Sequence, residues 1–151
     1  MRDLLSVDIG NLNEELVNTA AKLSDQELDR VYGYGLSTDP ESFGYQANKL
    51  SAAYGLHEFL YGGLDDINDV ESIASAVHDG WSFAAYHVDD PRYLTQPQKK
   101  VNRIALADIA YDDLSEDEKE KDRVIAREII KFLKSYHTMY HLKIWQEIIY
   151  E

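Results

Sequence analysis

The sequence predicts a mainly α-helical fold: a single compact helical domain with an irregular central connection that leaves room for short strands. Three observations carry this. Apolar residues recur three and four apart over long stretches, the spacing of one helix face. Helix-start signals of the Ser-x-x-Glu type stand just before such stretches. Gly and Pro fall mostly where those stretches end.

The elements follow in order. Leu12, Leu16, Val17, Ala20 and Leu23 open a first helix. Ser24 and Glu27 form a capping box, and Leu28 and Val31 carry the stripe to Gly33 and Gly35. Asp39 and Pro40 suit a cap and a first helical position. The next helix runs to about residue 60 and stops at Gly62-Gly63, with Gly44 and Gly55 weakening its continuity. Asn68 and Glu71 mark another cap, after which Val70, Ile73, Ala74, Val77, Trp81 and Ala84 make one apolar face. Pro91 and Pro97 interrupt residues 88–110, where a short strand or helix is expected around 101–109. Ser115 and Glu118 form the clearest capping box, and Glu116, Asp117 and Glu118 put negative charge at the positive end of the helix dipole. Ile125, Ile129, Phe132, Leu133 and Tyr136 then face inward. Apolar content continues through Leu142, Ile144, Trp145, Ile148 and Ile149, so a break is expected near 137–140. The 70–84 and 115–136 helices are expected to pack through Val77, Trp81, Ile125, Ile129 and Phe132. The tail after residue 141 should pack back on the chain or make a homodimer face.

A chain of 151 residues, 44% apolar and 11% aromatic, is long enough to bury a core. The organisation reads as one globular unit: an N-terminal helical region (1–69), a central region (70–136) and a C-terminal helical extension (137–151). No apolar run approaches a membrane span, and the N-terminus lacks the apolar core of a signal peptide. Cysteine is absent, which removes disulfides, Cys-based zinc sites and thiol catalysis and fits a cytoplasmic location. The net charge of −13 disfavours direct contact with nucleic acid or an anionic membrane, since both need a cationic footprint.

Residues 111–123 read Tyr-Asp-Asp-Leu-Ser-Glu-Asp-Glu-Lys-Glu-Lys-Asp-Arg. This resembles the most recognisable segment of the ryanodine-receptor repeat, the RyR domain. The repeat's earlier Ile-Ala-x-x-Val-His-x-x-Trp helix is similar to residues 73–81, and its upstream Lys-Lys pair to Lys99-Lys100. The resemblance spans residues 70–136, in the manner of single soluble copies from bacteria or viruses. It departs between Tyr86 and Gln98, at residues 103–110, and where Ala110 and Ser115 replace prolines. The resemblance implies a non-enzymatic binding module, with partners or small ligands as its targets and no cofactor.

The constellations of chemical residues are sparse. His137 and His141 have metal-ligand spacing, but Thr138 stands where a zinc protease carries its Glu, and no third ligand is near. No nucleophile elbow, phosphate loop or dinucleotide fingerprint is present. His78 reads as a residue at the edge of the core. Arg92, Lys99, Lys100 and Arg103 concentrate positive charge in an acidic chain, with Trp81, Tyr86 and Tyr111 nearby in sequence. These seven residues are the candidate ligand-binding set: cations for a phosphate and rings for a base. The competing reading pairs the cations with the acids of 112–122. The function expected is therefore a sensor or sponge for a small anionic, nucleotide-like ligand. The alternative is an acidic interaction protein that docks a basic partner surface, in the extreme by imitating DNA.

Overall fold

The computed structural model describes Leu4, Val7, Ile9 and residues 12–62 and 69–137. Five helices make up most of it: α1 (Glu14–Tyr32), α2 (Phe43–Gly62), α3 (Val70–His87), α4 (Gln98–Ala107) and α5 (Glu116–His137). Two 3-10 turns, Pro91–Leu94 and Tyr111–Asp113, lead into α4 and α5. No strand is among the described residues. The central connection is thus irregular at its ends, and its middle is helix rather than strand.

Helix α2 sets the architecture. It has no polar face because α1, α3 and α5 all pack on it. Ala52, Ala53, Leu56 and Phe59 meet Leu16, Val17 and Ala20 of α1, Ile73 and Val77 of α3, and Ile125, Ile129 and Leu133 of α5 in one buried core. Small residues on both helices let α2 and α3 come very close. A methyl group added at Gly80 would stand 2.6 Å from the Leu50 carbonyl oxygen. Gly55 serves the same end toward α5, where the added methyl would stand 2.5 Å from Ile129 Cδ1. Both glycines therefore sit inside unbroken helices for packing reasons, contrary to the expectation that Gly55 weakens α2.

A second, smaller core lies where the start of α2 meets the end of α3 and α4. It holds Phe43, Ala47, Ala84, Ala85, Val88 and Ala107, with Trp81 and Tyr86 packed on it. Trp81 belongs here, so it does not join the α3–α5 seam as expected. Its position on α3 turns it toward α2 and α4, while Val77 one turn earlier reaches α5.

The caps differ in detail from the sequence pattern. Asn13 caps α1, its side-chain oxygen accepting from Leu16 N at 3.2 Å. The expected start at Ser24 is absent: α1 runs through it, and Ser24 Oγ donates back to the Ala20 carbonyl at 2.8 Å. Asp39 and Pro40 form a turn, and α2 starts at Phe43 with Ser42 Oγ accepting from Tyr45 N. Asp69 rather than Asn68 caps α3, accepting from Ser72 N at 3.1 Å. Ser115 takes its expected place, its Oγ accepting from Glu118 N at 3.2 Å. Glu118 does not reciprocate, because its carboxylate takes Lys121 at 3.2 Å. Asn68, the tail after His137 and the proposed break at 137–140 lie outside the described residues.

Residues 33–42 form a strap from α1 to α2. Gly33 ends α1 in the left-handed region (φ 71°), its N–H donating to the Asp29 carbonyl at 2.7 Å. Gly35 is also left-handed (φ 80°), and its N–H donates to the Asp29 carboxylate. Asp25 then pins the strap to both helices, accepting from Ser37 N at 2.8 Å and Asn48 Nδ2 at 2.9 Å.

Candidate ligand cleft

The seven residues expected to hold a ligand do not gather around one cavity. Arg92 and Arg103 are engaged by Asp90, a carboxylate that is 1% exposed. Arg92 approaches it through Nη2 at 2.8 Å, and Arg103 through Nη1 at 3.3 Å. Phe43 N and Arg92 N donate to it as well. The Arg92 side-chain hydrogen bonds first, then the backbone N–H groups of Arg92 and Phe43, hold the Asp90 carboxyl far below the ordinary carboxylate range against the opposing effect of burial. Arg103 also stands over Phe43, 4.0 Å from the ring centre, and donates to Tyr93 OH at 2.9 Å. A buried carboxylate thus ties the loop before α4 to the positive end of α2. Arg92 and Arg103 are thus paired within the chain, and their acid is Asp90 rather than any of 112–122.

The remaining candidates scatter. Lys100 stands 5.9 Å from the Tyr93 ring, and Lys99 is half-buried on the same helix. Among the described residues neither forms an ion pair. Tyr86 donates to Asp108. Tyr111 is buried on the far side, donating to Glu71 at 2.5 Å. Glu71 also receives the fork of Arg123, through Nη2 at 2.7 Å and Nε at 3.0 Å. Arg123 also reaches Glu116 at 3.0 Å, while its main partner lies across the α3–α5 seam. The Arg123 bonds, with that of Tyr111, lower Glu71 to about 2.

Trp81 alone of the seven opens on a substantial cavity. A cleft of ≈ 340 Å³ lies between the strap, the start of α2, the middle of α3 and the first turns of α5. Its floor is Trp81, His78 and Asp122, with Phe43 and Ile125 as apolar walls. Phe43 meets Trp81 edge-on, with ring centres 5.6 Å apart and planes at 86°. His78 lies nearly parallel to Trp81 at 6.2 Å. Tyr34 and Ser37 of the strap close one side, and Asp25, Glu118 and Lys121 stand around the opening. A second cavity of ≈ 380 Å³ lies behind the strap between α1 and α2, so the strap separates two hollows.

The chemistry of the floor is set by Asp122 and His78. His78 is 2% exposed, and its Nε2–H donates to the Ile109 carbonyl at 2.8 Å, which fixes the ring. Its Nδ1 stands 3.6 Å from Asp122 Oδ2. That is beyond hydrogen-bond length, and among the described residues no closer donor reaches the Asp122 carboxyl. Burial first, then the negative charge of Glu118, pushes Asp122 up to about 8. The floor therefore offers an acid that carries its proton at neutral pH, a buried imidazole beside it, and an indole face.

Sequence reasoning missed Asp122, although a signal existed. Residues 122, 125, 129 and 133 share one face of α5, and three of them are core apolar residues. An acid on that stripe is out of pattern.

Among the described residues, no group of three His, Cys, Asp or Glu side chains could hold a metal ion. No described helix is long and apolar enough to cross a membrane. The His137–His141 pair lies outside the described side chains. Comparison with known proteins finds no family model, no curated protein and no solved structure that matches this chain.

Proposed function

We propose that the protein is a non-enzymatic binding module whose site is the Trp81 cleft, and that its ligand is a small molecule with a flat ring. The observation that carries this is a half-buried indole beside a buried carboxyl that, among the described residues, lacks a close hydrogen-bond donor, both facing one cavity. A free-standing fold has no need of such a carboxyl, because burying it without partners costs stability. The resemblance of residues 70–136 to ryanodine-receptor repeats points the same way, toward a module that binds rather than catalyses.

A nucleotide-like anion, the ligand expected from the basic cluster, would enter with its base on Trp81 and its phosphate near Lys121. Lys121 is the cation lining the cleft, against Asp25, Glu118 and Asp122. The test follows tryptophan emission and melting temperature with adenosine, ADP and indole, in the wild type and in Trp81→Leu. A saturable change in the wild type that is lost in Trp81→Leu supports the cleft. The absence of any shift with all three compounds, and with a wider panel of ring compounds, removes it.

A second reading rests on a separate observation. Glu58, Glu71, Asp79 and Asp112 line one recess between α2 and α3, with no cation among its lining residues. Such a surface suits the docking of a basic partner. Polylysine binding that is lost at high salt and unaffected by Trp81→Leu would favour that reading over the cleft.

A further inference from the structure

We propose that the Trp81 cleft selects a flat aromatic cation, with an amidinium or guanidinium edge on the Asp122 carboxyl and its ring against Trp81. This rests on the cleft being the ligand site and adds the class of ligand. Three features of the cavity argue for it.

The first is the unmet acceptor. Asp122 is 9% exposed, and what remains accessible faces the cleft. His78 cannot swing to serve it, because its other nitrogen is held by the Ile109 carbonyl. A ligand with two parallel N–H donors would satisfy both oxygens at once, which a single ammonium cannot do.

The second is the charge of the surroundings. The charged and titratable groups acting on Asp122 are His78 and Asp79 from α3 and Glu118 and Lys121 from its own helix, and Asp25 of α1 lines the same cleft. Lys121 is already paired with Glu118 at 3.2 Å. The balance is negative, in a chain that repels anions throughout. A phosphate would meet more acids than cations here.

The third is the indole. Tryptophan gives the strongest cation–π attraction of the aromatic side chains, and the effect grows where water is excluded. Phe43 and Ile125, both largely buried, add apolar walls.

The buried acid adds a proton linkage. Asp122 holds its proton at neutral pH, and a cation on the carboxyl needs it ionised. Binding therefore expels the proton to solvent, and affinity rises with pH until the free carboxyl is ionised, near pH 8. An uncharged ring shows neither effect.

The test compares benzamidine, which keeps its charge across this range, with its neutral analogue benzamide. Calorimetry is run at pH 6, 7 and 8 and in two buffers of different ionisation enthalpy. The expected result is benzamidine binding at least about tenfold tighter than benzamide, strengthening several-fold per pH unit, with about one proton released at pH 7. Asp122→Asn replaces the carboxyl by a carboxamide of the same shape and removes the charge, so it should abolish the preference while the protein stays folded. Equal binding of the two compounds, lost in Trp81→Leu, would leave the cleft as the site and overturn the cationic class. Benzamidine binding that survives Asp122→Asn also overturns it. Binding of adenosine or ADP at Trp81 without benzamidine does the same. If no compound binds the wild type at all, both the class and the cleft reading fall.

Discussion

Replacing Gly80 by Ala tests the close approach of α2 and α3, which places both cores. Alanine is the better helix former, by roughly 0.5–1 kcal/mol, so the local effect stabilises. The tertiary effect opposes it. The new methyl would stand 2.6 Å from the Leu50 carbonyl oxygen and 2.9 Å from Ser51 Cα, where Cβ contacts under 3.0 Å are essentially never seen. Those atoms belong to the backbone of a helix packed on three others, so relief requires moving α2 by about 0.4 Å or more, the shortfall between 2.6 and 3.0 Å. Overpacking of this kind costs about 1–3 kcal/mol, and contact with two backbone atoms puts it in the upper half of that range. The net is a destabilisation of about 1–2.5 kcal/mol, or roughly 2–10 °C in melting temperature for a chain of this size. Urea unfolding followed by helical circular dichroism measures it. Gly44→Ala is the control, because the nearest atom to its added methyl is the Ser37 hydroxyl, which can rotate away. That change should be neutral or stabilising by up to about 1 kcal/mol. Equal effects at the two positions, or a stabilising Gly80→Ala, would refute the argument that backbone contact at Gly80 sets the α2–α3 distance.

Asp122→Asn should alter stability with pH. The folded carboxyl titrates near 8 and the unfolded one near its ordinary value, so the unfolded state loses its proton first and the wild type weakens as pH rises from about 4 to 8. The Asn variant lacks that loss and should be the more stable of the two at pH 9, by on the order of 2 kcal/mol or more, with little difference at pH 4. Parallel urea midpoints across this range would refute the buried acid. Asp90→Ala should cost about 3 kcal/mol in the same assay, because it leaves Arg103 largely buried without its carboxylate. Ser115→Ala should cost about 0.5–2 kcal/mol by uncovering Glu118 N–H, and Ser115→Asp should restore most of it.

Helix content was readable because the apolar period is strong in α1, α3 and α5. The 88–110 segment was harder. Its two prolines signal interruption, yet Pro91 opens a 3-10 turn and Pro97 sits just before α4 begins, positions where the missing N–H does no harm. The capping boxes were read from sequence alone with mixed results. Ser115 follows a 3-10 turn that breaks the chain direction, so it can cap. Ser24 lies in a continuous apolar stripe that packs on α5 and α2, and tertiary contact overrides the local start signal. The candidate site was the least legible part. Sequence neighbours of the basic cluster include both Asp89 and Asp90, and nothing in the pattern says that Asp90 is buried and takes the two arginines.

Asp90 and Asp122 are two buried carboxyls on the same small fold, and their surroundings solve the burial cost in opposite ways. Asp90 receives two guanidiniums and two backbone N–H groups, so its charge is compensated and its carboxyl is held strongly acidic. Every donor there comes from the chain itself, which leaves no valence for a ligand and marks a structural joint. Among the described residues Asp122 receives no such donors; it faces a cavity and keeps its proton. Lys121 is adjacent in sequence but reaches Glu118 instead. A chain that can place two arginines on one buried acid could have placed a cation on the other. The vacancy at Asp122 is therefore the feature of this molecule that a structural role explains least, and a ligand that brings its own charge explains it directly. The decisive comparison is between Asp90→Asn and Asp122→Asn. The first should weaken the fold and leave benzamidine binding intact in the surviving folded protein. The second should leave the fold at least as stable at neutral pH and remove the binding. The reverse pattern would assign the ligand to the arginine joint and return the function to an anion site.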